Sequence, residues 1–334
     1  MLPSRPVDWL TKAPVIDKTR YPTTHGMAEG EVYRPPSPGP HPGIVVCLGV
    51  VPFEVDHPQV PVLGRALARA GFAALLYWSP AMRAFRLDPE DIENIALAYR
   101  WFIDQPYVDP GRSGLLGTCV GGSFALMAAA SSHIRDDIAF VSAYAPFSSM
   151  WTFARDIASA TRSNRDEREQ WSVDQLTRKV FVHSLAALLE PDETAWFINN
   201  FSGAEKYPDP IELSDVGRTV YSLLTTPNAE EAEALLRDFP PHLQNRLATM
   251  SPVNHLKNIK TPHIILLHDR GDQVIPIGES RRLIAAFGEQ PGISFTEMQF
   301  SHLDPTKGRL PLYRLLIEFT KFFLAVYPLF RYTE

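Results

Sequence analysis

The chain is 334 residues long, 45% hydrophobic and 21% charged, a balance near the globular average and far from that of disordered or fibrous proteins. Its 32 lysines and arginines face 38 acidic residues, a net charge of -6, so there is no basic excess with which to neutralise a nucleic-acid backbone. Cys47 and Cys119 are the only cysteines, too few for a disulfide scaffold, and the start MLPSRPVDWLTKAP lacks an apolar core of signal-peptide length. A cytoplasmic location and a small-molecule partner are therefore expected, not nucleic acid or membrane.

Glu31–Arg34 reads as a strand, and the turn-rich stretch Pro35–Gly43 leads into the wholly apolar run Ile44–Leu48, a pattern that suits a strand buried on both faces. Val60–Ala70 reads as a helix stopped by Gly71, Phe72–Trp78 as a strand, and Pro89–Ile103 as a helix with Asp88 at its start. Then follow a strand at Ser113–Gly117, an alanine-rich helix at Val120–Ala130 and a strand at Ile138–Ala145. From Ser148 to about Met250 the text is polar and helix-like, notably over Asp166–Gln170, Asp174–Leu189 and Ala229–Arg237, with no strand run. The rhythm returns with a strand at Pro262–His268, a helix at Ile277–Phe287, a strand at Ile293–Phe300 and a helix at Leu310–Tyr327. Arg314, Glu318 and Lys321 interrupt that last apolar stretch at helical spacing, which points to an amphipathic helix and not a membrane span. The 30 prolines are scattered and mark loops. The order predicts an α/β protein with a mostly parallel sheet and helices on both faces. Residues 1–147 and 251–334 would form the core and 148–250 a helical insertion, either a cap over a site or an oligomer-forming or stabilising appendage.

The sharpest motif is Gly117-Thr118-Cys119-Val120-Gly121-Gly122, between a strand and a helix. It fits a nucleophile elbow, in which a sharp turn lifts one side chain above the sheet and small neighbours give it room. Cys119 would be the nucleophile, with the Val120 N–H half of an oxyanion hole and the helix N-terminus favouring the thiolate. The plain alternative is a buried cysteine in a glycine-rich turn. Downstream, His268-Asp269-Arg270-Gly271-Asp272-Gln273-Val274-Ile275-Pro276 follows an apolar strand, and His302 lies 30 residues beyond Asp272. Asp269 and Asp304 compete with Asp272 for the acid, or are turn and capping residues.

Nucleophile, acid and base in that chain order are the arrangement of α/β-hydrolases. Over about residues 25–145 and 250–328 the chain resembles that superfamily, and within it the dienelactone hydrolase-like group, which carries Cys, Asp and His in a G-x-C-x-G-G context. The resemblance implies Cys119 as nucleophile, Asp272 as acid and His302 as base, with an oxyanion hole of Val120 N–H and a second N–H from Val50 or Val51 after the strand Ile44–Leu48. It also suggests Glu54 as a carboxylate that holds the thiol at rest. Dienelactone hydrolases lack a hundred-residue insertion, so their lactone substrate is not carried over.

Cys47 sits mid-strand and reads as a small core residue. The other histidines show no metal-ligand spacing and no glycine-rich phosphate loop occurs, so neither metal nor cofactor is expected. The insertion's aromatics, among them Trp151, Phe153, Trp171, Phe181, Trp196, Phe197, Phe201, Tyr207, Tyr221 and Phe239, would be core of the inserted part or pocket lining. The expected activity is hydrolysis of an ester, lactone or thioester. Acyl transfer to an amine or alcohol with the same triad, or a non-catalytic binding protein on this fold, are the alternatives. A homodimer is compatible with all three.

Overall fold

The computed structural model describes residues 12–51, 59–164, 167–203, 212–299 and 311–333. Its first two strands, β1 (Val15–Thr23) and β2 (Gly26–Arg34), pair as an antiparallel hairpin. Only the end of β2 was expected from sequence, because β1 alternates charged, solvent-facing residues with half-buried ones and has no apolar run. The apolar runs form the centre of the sheet: β3 (His41–Cys47), β4 (Ala73–Tyr77), β5 (Val108–Thr118) and β6 (Phe140–Tyr144). In β3, Val45 and Cys47 pack into one core cluster and Ile44 and Val46 into another. That two-sided burial is why the run is apolar at every position.

On one face lie α1 (Gln59–Arg69), through Val60 and Ala68, and the final helix. A short α2 (Pro80–Arg83) follows β4. On the other face are α3 (Glu90–Ile103), through Tyr99 and Phe102, and α4 (Val120–Ala128), through Phe124 and Leu126.

Between β6 and the next strand of the main sheet the chain folds as α5 (Met150–Ala158), a hairpin of β7 (Thr161–Asn164) with β8 (Glu167–Gln170), and α6 (Gln175–Ala186) to α10 (Pro241–Thr249). Within that run lie α7 (Pro191–Phe201), α8 (Asp215–Thr225) and α9 (Ala229–Arg237). The hairpin corrects the helical expectation for Asp166–Gln170 over residues 167–170, and Asp166 lies outside the described residues. Arg162 faces Glu169 across it, 2.7 Å away, so the charges are spaced for a cross-strand pair. The helices start where the chemistry allows: Asp174, Ser214 and Asn228 accept backbone N–H groups as caps, and Pro191 and Pro241 open first turns. The two roots of this segment meet, since Val253 N–H donates to Ser148 O at 3.0 Å and Met150 N–H to Ser251 Oγ at 2.9 Å.

The main sheet then resumes with β9 (His263–Asp269), α11 (Ile277–Phe287), β10 (Ile293–Met298) and α12 (Leu312–Phe330). Strand order is β1-β2-β4-β3-β5-β6-β9-β10, parallel from β4 to β10. The C-terminal ends of β3, β5 and β9 therefore lie on one edge. Among the described residues no helix is long and apolar enough to cross a membrane.

Candidate active site

Cys119 sits between β5 and α4 with φ 56° and ψ -134°. This left-handed conformation costs a non-glycine residue about 1–3 kcal/mol and holds its side chain above the sheet edge. The glycines show why the elbow can exist. A Cβ on Gly121 would fall 2.3 Å from Cys47 O, and one on Gly117 would fall 2.5 Å from Gly121 O. The turn is thus pressed against the end of β3, and the Thr118 hydroxyl pins the two together by donating to Leu48 O at 2.8 Å.

The thiol is not the ready thiolate that a helix N-terminus alone would favour. Burial pushes it up to about 12, the nearby Asp272 charge adds to that, and the Val120 N–H bonded to it pulls only partly the other way. Cys47 is raised as well, by complete burial and by Asp91. It is 2% exposed, whereas Cys119 is half-buried and open to a pocket.

Asp272 lies in the loop after β9 and is buried. Its Oδ1 accepts the N–H groups of Val274 at 2.7 Å and Ile275 at 3.1 Å, and its Oδ2 is 3.5 Å from His268 Nε2. His268 is itself buried, with Nε2 2.9 Å from Ile275 O and Nδ1 2.6 Å from Ser280 Oγ. No role for His268 is expected from the sequence. Its contacts brace the carboxylate loop against α11, and the signal for that was its place four residues before Asp272. Asp269 serves the turn, accepting Gly271 N–H at 2.7 Å. His302, Glu54 and Asp304 lie outside the described residues.

Cys119, Val120 and Val50 line one pocket together with Val274 and Ile275, next in chain to Asp272. Val51 is half-buried and outside that lining. The segment between β6 and β9 supplies the opposite wall, with Met150, Phe153, Phe181 and Phe239. The few polar groups in the lining are already engaged. Thr177 donates to Val274 O at 2.9 Å, Ser184 to Val180 O at 2.7 Å, and Arg246 reaches Leu87 O at 3.1 Å and Asp88 at 3.4 Å. A ligand here meets hydrocarbon. Of the segment's other aromatics, Trp171 is buried and donates to Gln273 O at 3.2 Å in the Asp272 loop, while Trp196, Phe197, Phe201 and Tyr221 pack together in edge-to-face and tilted pairs. Tyr207 lies outside the described residues.

Charged groups hold the segment to the core. Glu279 of α11 is fully buried and accepts Ser148 N–H at 2.8 Å, Ser148 Oγ at 2.6 Å and Thr152 Oγ1 at 2.8 Å, and it pairs with Arg282. Burial pushes its carboxyl up, but Arg282 and the Ser148 and Thr152 donors outweigh that and leave it below its usual range. Buried Asp156 on α5 is met by Arg155 at 3.0 Å, Arg168 at 2.9 Å and Arg282 at 3.6 Å.

No family model matches the sequence, and no curated protein matches it. Solved structures do match in shape. The 2,6-dihydroxy-pseudo-oxynicotine hydrolase superposes with a TM-score of 0.53 at 15% identity, covering 94% of this chain and 69% of its own. The α/β hydrolase GrgF from Penicillium sp. sh18 gives 0.54 at 17% identity, covering 93% of this chain and 99% of its own. Acylaminoacyl peptidase from Pyrococcus horikoshii gives 0.52 at 16% identity over 95% of this chain, which spans 42% of that longer enzyme. With its sheet order, its elbow after β5 and these likenesses together, the chain has the α/β-hydrolase fold.

Proposed function

We propose that the protein is a cofactor-independent hydrolase of an ester, lactone or thioester with an apolar acyl group, and that Cys119, His302 and Asp272 are its nucleophile, base and acid. One observation carries this reading: Cys119 is held at positive φ on the floor of an apolar pocket with the Val120 N–H at its sulfur. In this mechanism His302 takes the thiol proton as the sulfur attacks the acyl carbonyl, because burial keeps the resting thiol neutral. The tetrahedral oxyanion is met by the Val120 N–H and by that of Val50 or Val51. It collapses with the leaving alcohol or thiol taking the proton from His302. Water, deprotonated by His302, then attacks the thioester, releasing the acid and restoring the thiol. Asp272, fixed by two backbone N–H groups, holds the imidazole in the required tautomer.

A thiolate is a better leaving group than an amine, so attack on a poorly activated amide tends to revert, and peptides are the least favoured substrates. The peptidase likeness is therefore not extended to substrate. Residues 148–250 serve in this reading as a cap, since they supply the apolar wall opposite the nucleophile. The test is hydrolysis of p-nitrophenyl acyl esters, with mass spectrometry of the quenched enzyme. An acyl adduct on Cys119 and loss of turnover in Cys119→Ala are expected. Turnover retained in Cys119→Ala would end the proposal. Water-poor walls also suit acyl transfer, and ester or amide products formed with added alcohols or amines would favour that second reading.

A further inference from the structure

Twelve large hydrophobic side chains are exposed among the described residues, and eight belong to α12. This is too concentrated to be the ordinary scatter of surface apolar residues. One side of the helix packs on the sheet through Leu329, Ala325 and Val326, and buried Glu318 accepts Gln299 N–H at 2.9 Å and pairs with Lys321 at 2.6 Å. The opposite side is the apolar one.

The pattern on that side is symmetric about Thr320. Three residues to either side stand Ile317 and Phe323, four to either side Leu316 and Leu324, and seven to either side Tyr313 and Tyr327. At about 100° per residue, all seven positions fall within roughly 60° of the Thr320 direction, and no charge interrupts them. The six large side chains are each between 48% and 63% exposed. Thr320 is small, and its hydroxyl already donates to Leu316 O at 2.8 Å, so it brings no unmet polar group to a dry contact.

We propose that this face of α12 binds the same face of a second copy of the chain, as an antiparallel helix pair crossing at Thr320. An isologous contact requires that whatever stands at a given offset from the axis meets its counterpart at the opposite offset. Here that sets Tyr313 against the partner's Tyr327, Leu316 against the partner's Leu324 and Ile317 against the partner's Phe323, large apolar groups at every step. A lipid surface has no use for such a palindrome. About half exposed, each of the six large side chains offers on the order of 100 Å², so the stripe supplies most of the roughly 800 Å² per partner buried in a standard specific interface. Among the described residues none of α12 lines the Cys119 pocket, so the pairing stands apart from the proposed chemistry.

Sedimentation equilibrium of the full chain at micromolar concentration tests this. The wild type is expected at the mass of two chains. The double substitution Leu316→Glu with Leu324→Glu, at solvent-facing positions of the single chain and with the circular dichroism unchanged, is expected to weaken association at least 100-fold and to remove the concentration dependence of the melting temperature. Thr320→Cys, treated with copper phenanthroline, should give a disulfide joining residue 320 of both copies, while Val62→Cys should give none. A wild type at single-chain mass at tens of micromolar would overturn the proposal. So would a double variant that stays paired, or wild type that is monomeric in buffer and cosediments with phosphatidylcholine or phosphatidylserine vesicles.

Discussion

The elbow and the segment above it are held by opposite means. Around Cys119 the geometry is set by main chain against main chain, with Gly121 facing Cys47 O and Gly117 facing Gly121 O where no side chain fits. Residues 148–250 are fixed instead by buried charged side chains, Glu279 and Asp156 with their arginines, and by apolar packing over the pocket. Contacts of the first kind have one solution, whereas the second kind can be adjusted. The part that would do chemistry is thus the part that cannot be varied, and the part that would choose the substrate is the part that can.

Gly121→Ala tests the rigid half most severely. Its Cβ has nowhere to go but into β3, so elbow and pocket floor must separate, and acyl turnover should fall to background. A soluble, folded Gly121→Ala protein with wild-type kcat/KM would show the elbow to be far softer than its contacts imply. Asp272→Asn is milder in structure, since one carboxamide oxygen can still accept from Val274 and Ile275. It should cost about 10⁴ in kcat by presenting the wrong partner to the imidazole, read in single-turnover kinetics, with Asp269→Asn losing much less.

On the adjustable half, Glu279→Ala strands the Ser148 N–H and leaves Arg282 only Asp156, 3.6 Å away, a loss of about 3–5 kcal/mol by the usual cost of breaking a buried ion pair. Calorimetry would register it. Because the native carboxyl is held below its ordinary range, its contribution is complete at neutral pH and is lost as pH falls through that depressed value. Glu279→Gln should therefore flatten the acid side of the stability profile, and an unchanged acid limb would remove Glu279 from the account. Smallest of all, Phe181→Ala or Phe239→Ala should change the ratio of kcat/KM for long against short acyl esters by about 1–3 kcal/mol. Neither should alter the alkylation of Cys119 by iodoacetamide, whose rate should still be climbing above pH 9, as a thiol raised to about 12 requires.

Much of the sheet was legible because its central strands are buried on both sides and carry apolar runs, as Ile44–Leu48 shows. The elbow was legible because steric crowding leaves a dense signature of small residues. The β1–β2 hairpin was not, since it has no apolar run and Lys18, Arg20 and Glu29 face water between half-buried positions. The β7–β8 hairpin failed for a related reason: its four-residue strands have no hydrophobic period, and the Arg162–Glu169 pairing is meaningful only once the turn is made. The anchoring of Glu279 to Ser148 spans 131 residues and left no local trace. Helix polarity, which favours the Cys119 thiolate, is visible in a sequence, whereas the desolvation that pushes the thiol up is not.

The meeting of Ser148 and Val253 has a consequence for how such a protein can diversify. Because the chain leaves the sheet and returns at touching points, the hundred residues between are a detour whose length the strands never feel. A lineage could trade that detour for a shorter or differently shaped one in a single genetic event, keeping Cys119 and Asp272 in register while presenting a new wall to a new molecule. The same junction is where a protein engineer would cut.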